Sequence, residues 1–235
     1  FAGLRYLGEL HNDTHFKVES RNSFPTAAGL ASSSSGFAAL TCACADAAAM
    51  DLTQAQLSAA ARLGSASAAR SLFGGFVILR AGGYQAEQLF SEDHWPDLRI
   101  LMAIVRRVPK KISSRDAMEL SRTSSPYYSS WLESSQTLFS EGINAVSHRD
   151  IEKLGAVMRA SYLGMFSTMF TSVPPVMYWL PDSVEIIRAC EELRESGIPA
   201  WETMDAGPQV KIACLASDVE VITDRIKGLN PDWQI

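Results

Sequence analysis

The residues best suited to chemistry in this sequence are hydroxyls, one arginine and one carboxylate, gathered in three short stretches. The first, residues 24–36, reads Phe-Pro-Thr-Ala-Ala-Gly-Leu-Ala-Ser-Ser-Ser-Ser-Gly and runs into the alanine-rich segment 37–50. Pro25 and Gly29 interrupt regular structure, whereas Ala38, Ala39, Leu40 and Ala43 favour helix, so the stretch reads as a loop feeding a helix N-terminus. The first N–H groups of a helix lack internal partners, and the macrodipole attracts an anion there. Gly29 and Ala31 would let a polyanion approach the backbone, and the hydroxyls from Ser32 and Ser33 onward would add donors or metal ligands. A solvated serine-rich linker is the other reading of the same composition. No Gly-Lys-Ser/Thr follows and no Gly-x-Gly-x-x-Gly is present, which excludes a Walker A loop and a dinucleotide fingerprint.

The second stretch, residues 64–75, reads Gly-Ser-Ala-Ser-Ala-Ala-Arg-Ser-Leu-Phe-Gly-Gly. Ser65, Ser67 and the planar fork of Arg70 would make a second helix start rich in anion donors. Alternatively it is a tight packing turn with Arg70 in a structural ion pair. In the third stretch, Asp205 precedes Ala-Gly-Pro between two apolar segments. A carboxylate on a tight turn at a sheet edge can reach a ligand, and Asp in a turn can equally serve local hydrogen bonding.

These side chains need elements to hold them. Leu4, Leu7 and Leu10 have helical spacing, with residues 11–13 as a stop, and residues 16–20 alternate like a short strand. A helix starting near residues 51–53 would place Leu57, Ala60, Ala61 and Leu63 on one face and end at Gly64. Residues 76–79 and 98–105 are apolar runs of strand length. The basic cluster Arg106, Arg107, Lys110 and Lys111 is either a solvated face or the lining of an anion pocket, and residues 113–116 open a helix. Beyond Tyr127, Trp131, Leu132, Leu138, Phe139 and Ile143 mark one helix. Ile151, Leu154, Val157, Met158, Tyr162 and Met165 mark another, capped by Asp150. Pro174-Pro175 breaks the run, Asp182 caps a helix closed by Gly197, residues 200–204 and 210–215 are strands, and residues 217–220 form a capping box for the last helix. The expected division is an N-terminal α/β domain over residues 1–112 and a C-terminal α+β layer domain over 113–235.

With 235 residues, 47% hydrophobic and 20% charged, the chain has a globular balance, and its net charge of −5 argues against a broad nucleic-acid footprint. A small-molecule partner is expected instead. No apolar run reaches the roughly 20 residues of a membrane span and no signal peptide opens the chain, so a cytoplasmic location is expected. Cys42, Cys44, Cys190 and Cys214 read as buried small hydrophobes. His11 and His15 are spaced i, i+4 without a cysteine nearby, so neither a zinc site nor a histidine-based triad is expected. The start at Phe1 rather than Met sets the expectation of a further upstream segment.

The three stretches together resemble the diphosphomevalonate decarboxylases of the GHMP kinase superfamily. The resemblance is carried by Pro25-Thr-Ala-Ala-Gly-Leu-Ala-Ser-Ser33, Gly64-Ser-x-Ser-Ala-x-Arg-Ser71 with Gly74-Gly75-Phe76, His94-Trp-Pro-x-Leu98 and Asp205-Ala-Gly-Pro208. It runs from about residue 16 to the end. It implies an α+β, two-domain GHMP kinase-like fold, incomplete at the start of the N-terminal domain. It also implies ATP-dependent decarboxylation of mevalonate diphosphate to isopentenyl diphosphate, through phosphorylation of the tertiary 3-hydroxyl. On that resemblance Asp205 is the catalytic carboxylate, Arg70 binds the carboxylate that is lost, and Ser65 and Ser67 hold the substrate diphosphate. Gly29, Ala31, Ser32 and Ser33 cradle the phosphates of ATP, with Mg²⁺ screening their charge and no dedicated protein metal site. A homodimer is implied, as is common in the family. The family's Asn-Ile-Ala and Lys-Tyr-Trp-Gly-Lys type motif has no counterpart before residue 24, which sets the expectation that a further N-terminal segment supplies those contacts. Ala66 and Ala69 stand where Gly and Cys are often seen, and residues 122–126 depart from the family's Thr-Ser segment, leaving Ser125 a secondary candidate contact. The alternatives are a mevalonate-type kinase, a decarboxylase of the monophosphate, or an inactive phosphometabolite-binding homologue. Asp205 favours decarboxylase chemistry over a kinase, and Ser65 with Ser67 favours the diphosphate.

Overall fold

A computed structural model describes Leu4 and residues 15–23, 32–105 and 111–235. The described residues up to Pro96 form one unit and Asp97–Ile235 another. The strand Leu98–Ala103 belongs to the second of these units, because it pairs with a strand near the end of the chain.

In the first unit, α1 (Ser32–Ala47) begins five residues before the expected Phe37 start, so Ser32, Ser33 and Ser34 lie in its first turn and not in a preceding loop. Helix α2 (Gln54–Arg62) is opened by Thr53, whose hydroxyl accepts the Gln56 N–H at 3.3 Å while Gln56 Oε1 accepts the Thr53 N–H at 2.9 Å. Leu4, Cys44, Ala45 and Ala60 form this unit's core, with Phe16, Leu40, Leu52 and Leu57 against it. Leu63, expected on the buried face, is 53% exposed because it caps the helix outside its last regular turn. Strands β1 (Phe76–Ile78) and β2 (Glu87–Phe90) pair antiparallel. Strand β2 is too polar at Glu87 and Gln88 to stand out by apolar alternation. His94 stacks on Phe90 with ring centroids 3.9 Å apart and Trp95 lies over Phe76 at 6.5 Å, so the His-Trp-Pro segment packs this hairpin. The expected strand at residues 16–20 is irregular, and Lys17 and Glu19 are exposed in an ion pair. Leu7, Leu10 and His11 lie outside the described residues.

The second unit is built on an antiparallel sheet in which β5 (Val210–Leu215) lies between β3 (Leu98–Ala103) and β4 (Trp201–Thr203). Helices α3 (Ser114–Ser124), α4 (Tyr128–His148), α5 (Ile151–Phe170), α6 (Pro181–Glu195) and α7 (Val219–Leu229) complete it. Its core contains Phe166, Met169, Ile186, Cys190, Ile212 and Ile226. Asp150 caps α5 as expected, accepting the Lys153 N–H at 2.9 Å, and Ser113 caps α3 through the Asp116 N–H at 3.1 Å. Asp182 is not a cap: Pro181 occupies the first helical position of α6, where its missing N–H costs nothing, and Ser183 Oγ accepts from the Leu180 N–H at 3.3 Å. The capping box at 217–220 does not form, since residues Ala216–Asp218 coil as a 3₁₀ turn and Asp218 makes no capping bond.

All four cysteines are free, but Cys42 is exposed, so only Cys44, Cys190 and Cys214 are the buried hydrophobes expected. Burial pushes the Cys214 thiol up to about 11, with the charge of Asp218 adding to it. Among the described residues no helix is long and apolar enough to cross a membrane.

At Gly155 of α5, a Cβ would sit 1.9 Å from Trp201 Cγ, so the indole packs directly on the helix backbone. Gly155→Ala is expected to lower unfolding free energy by roughly 1–3 kcal/mol through overpacking, read as a lower urea midpoint. An unchanged midpoint would contradict this packing.

Candidate functional site

In the first unit the structure brings two of the three stretches together. The hydroxyls of Ser34 on α1 and Ser71 in the turn after α2 lie 3.1 Å apart. Gly64 sits so close to Phe37 of α1 that a Cβ there would be 2.7 Å from the ring. Residues 66–72 do not start the α-helix expected there; they form tight turns ending in the single 3₁₀ turn Arg70–Leu72, because Gly74 and Gly75 stop the chain before a longer helix can propagate.

That turn is held from beneath by residues with no obvious signature. The buried Ser58 hydroxyl on α2 donates to the Ala69 carbonyl at 2.9 Å and accepts the Ala86 N–H at 2.9 Å. Gln54 donates to the Leu72 carbonyl. With Ala68 and Ala69 fully buried, Arg70 is left pointing outward and exposed. Ser65 and Ser67 present their hydroxyls as a pair 3.0 Å apart. No carboxylate among the described residues forms an ion pair with Arg70.

The N-terminus of α1 carries no acidic residue in its first turn, and Ser33 is exposed. N–H groups, serine hydroxyls and absence of negative charge suit a polyphosphate. Gly29 and Ala31 lie outside the described residues. Among the described residues no group of three or more His, Cys, Asp or Glu side chains is placed to hold a metal. A Mg²⁺ accompanying nucleotide phosphates fits this donor set, since it takes hard oxygens, mostly from phosphate and water, and the exposed Ser33 hydroxyl is such an oxygen.

Asp205 belongs to the second unit, on the loop from β4 to β5. It is the one exposed residue between Glu202 and Val210; Met204, Ala206, Gly207, Pro208 and Gln209 are buried. The loop is pinned at several atoms. The Gly207 N–H donates to the Asp205 carbonyl at 2.7 Å, the buried Ser183 hydroxyl of α6 donates to the Pro208 carbonyl at 2.7 Å, and Gln209 Oε1 accepts the Val105 N–H at 2.8 Å. The Asp205 carboxylate forms an ion pair with Lys211 of β5. Sequence reasoning missed Ser58, Ser183, Gln209 and Lys211. Only the Val-Lys-Ile interruption of an apolar strand hinted at Lys211.

Arg106, Arg107 and Lys110 lie outside the described residues, and Lys111 is exposed. Just after it, the Tyr178 hydroxyl donates to the carbonyls of Ile112 and Ser113 at 3.0 and 3.2 Å, fixing the entry to α3. Burial, with the Asp116 charge second, pushes that phenol up to about 12. The Ser125 hydroxyl is engaged with Thr171 Oγ1 at 2.8 Å, joining the ends of α3 and α5.

Residues 2–90 match the diphosphomevalonate decarboxylase-like N-terminal domain, and residues 100–233 the mevalonate 5-diphosphate decarboxylase C-terminal domain. The chain is 32% identical over 223 residues to the diphosphomevalonate decarboxylase of Aspergillus fumigatus, a match covering 91% of this chain and 55% of that protein. It is 31% identical over 229 residues to that of Saccharomyces cerevisiae, covering 92% and 58%. The chain thus spans about half the length of the curated relatives it matches. Among solved structures it resembles mevalonate diphosphate decarboxylase from Staphylococcus aureus, with TM-score 0.82, 36% identity, and coverage of 89% of this chain and 65% of that one. It also resembles a decarboxylase solved with MVAPP, AMPPCP and magnesium, with TM-score 0.80, 36% identity, and coverage of 87% and 64%. The mixed helix-and-sheet fold, with its two matched domains, is of the GHMP kinase-like type.

Proposed function

Because this chain belongs to the diphosphomevalonate decarboxylase family, we propose that the protein carries out the ATP-dependent decarboxylation of mevalonate 5-diphosphate to isopentenyl diphosphate. The observation that carries the reading is Asp205, a lone exposed carboxylate on an otherwise buried, hydrogen-bonded loop. Such rigidity suits a group that must meet one substrate proton.

A tertiary hydroxyl is a poor leaving group. Asp205 accepts its proton or orients it while the oxygen attacks the γ-phosphorus of ATP, releasing ADP. Departure of the new phosphate draws electrons from the neighbouring carbon–carboxylate bond, so carbon dioxide leaves and the double bond forms. Arg70 binds that carboxylate, and its exposed guanidinium, with no carboxylate partner among the described residues, supports this role. The hydroxyl pair of Ser65 and Ser67 takes the diphosphate. Ser32 and Ser33, with backbone at Gly29 and Ala31, cradle the nucleotide phosphates at the start of α1. Mg²⁺ bound with ATP supplies charge neutralisation. A cytoplasmic location and a homodimeric state belong to the same reading, on the family resemblance alone.

Parallel measurement of ADP and carbon dioxide tests this. Both are expected only when mevalonate diphosphate and ATP are supplied together. ADP without carbon dioxide would replace the reading with that of a kinase, and neither product would replace it with that of a binding protein.

A further inference from the structure

We propose that Lys211 is a positioning residue for Asp205, fixing the orientation of the carboxylate so that one oxygen faces the substrate hydroxyl. The inference rests on the decarboxylase reading and adds a residue to it. Lys211 sits on β5, the central strand of its sheet, in register with Met102 on β3 and Thr203 on β4. A lysine there is unusual for its surroundings, since Val210, Ile212, Ala213 and Cys214 of the same strand are buried. Its side chain is only 20% exposed, against 53% for Asp205. The stem therefore lies along the sheet, and the ammonium emerges at the carboxylate, which is how a long cationic side chain covers apolar surface while keeping its charge solvated.

Lys211 Nζ meets Oδ2 of Asp205. No described residue donates to Oδ1. One carboxylate oxygen is thus held and the other is left for a substrate. A carboxylate on an exposed turn would otherwise rotate freely about its terminal torsion, which is broad and roughly two-fold. The anchor itself is stiff, because Lys211 lies on a central strand paired with a neighbour on each side. In the reaction the 3-hydroxyl proton passes to Oδ1, the hydroxyl oxygen bonds to the γ-phosphorus and ADP leaves with the broken phosphoanhydride electrons. Lys211 neither gives nor takes a proton.

Lys211→Met keeps the apolar stem and removes the charge. Steady-state assays of carbon dioxide release are expected to show kcat lowered about 10- to 100-fold. The KM values for ATP and mevalonate diphosphate should stay within about twofold, since neither contact is removed. Lys211→Arg keeps a cation at the carboxylate and should recover most of the loss. Against the residual rate of Asp205→Asn, Lys211→Met should add little, because the two side chains act as one unit. Unchanged kcat in Lys211→Met would overturn the proposal. So would an equal fold-loss in both Asp205 backgrounds, or an Arg variant as slow as the Met variant, since each would mark the lysine as structural only. Wild-type protein that releases no carbon dioxide from mevalonate diphosphate would instead overturn the decarboxylase reading beneath it.

Discussion

Asp205→Asn is expected to lower kcat for carbon dioxide release by roughly 10²–10⁴-fold, the range a positioned general base contributes. The amide keeps the size of the carboxylate but cannot accept the hydroxyl proton. ATP affinity, measured by equilibrium binding, should stay within about twofold of wild type, because the nucleotide phosphates are assigned to α1 and not to this loop. Thermal stability should also change little. The side chain is 53% exposed and its ion pair with Lys211 is an interaction of the kind that typically contributes about 1 kcal/mol or less. Near-normal turnover in this variant would remove Asp205 from the chemistry. Loss of ATP binding along with turnover would point to a folding defect or a shared site.

The second large effect concerns folding. Glu202 on β4 is fully buried, yet its carboxylate is fully engaged: Arg159 Nε at 2.7 Å, Arg194 at 2.6 Å and the Tyr162 hydroxyl at 3.0 Å. Arg159 also pairs with Glu191, and Arg194 lies over the Trp201 ring at 4.5 Å. Burial, followed by the charge of Glu202, raises the Tyr162 phenol well above its usual range, so that hydroxyl remains a donor. Glu202→Ala would leave Arg194 facing a buried position with no counter-charge and Arg159 with Glu191 alone. The expected destabilisation is about 3–5 kcal/mol, read from urea unfolding. An apolar replacement of Glu202 together with Arg159 and Arg194 should restore much of that loss, since it removes the charges as a set. A Glu202→Ala variant as stable as wild type would show that the network does not hold α5 and α6 to the sheet.

Much of the architecture was legible because it depends on near neighbours. The helical spacing of Ile151, Leu154, Val157 and Met158 is local, as is the Asp150 cap, and both appear in α5. The apolar run of β5 and the turn at Asp205 follow from residue types within a few positions. The failures share one cause. Residues 16–20 alternate but are irregular, and the polar β2 became a strand because β1 lay beside it. Ser217 and Glu220 fit a capping box by spacing, but a 3₁₀ turn occupied that backbone first. Ser32–Ala47 began earlier than propensity indicated, since serines are indifferent inside helices but at home in a first turn.

The candidate site divides in the same way. The sequence alone determined which side chains offered chemistry: the serines at the start of α1, the pair Ser65 and Ser67, Arg70, and a carboxylate on the Asp-Ala-Gly-Pro turn. Small residues and turn formers restrict the backbone within a few positions, so their signature survives without the fold. Tertiary structure alone decided what holds them. Ser58 lies beneath Ala69, Ser34 meets Ser71, Ser183 grips Pro208, and Lys211 faces Asp205 from the neighbouring strand. Each of these is a buried or half-buried polar group whose desolvation is offset only when its partner arrives from elsewhere in the chain. No local pattern can specify a partner whose position depends on how the helices and strands pack.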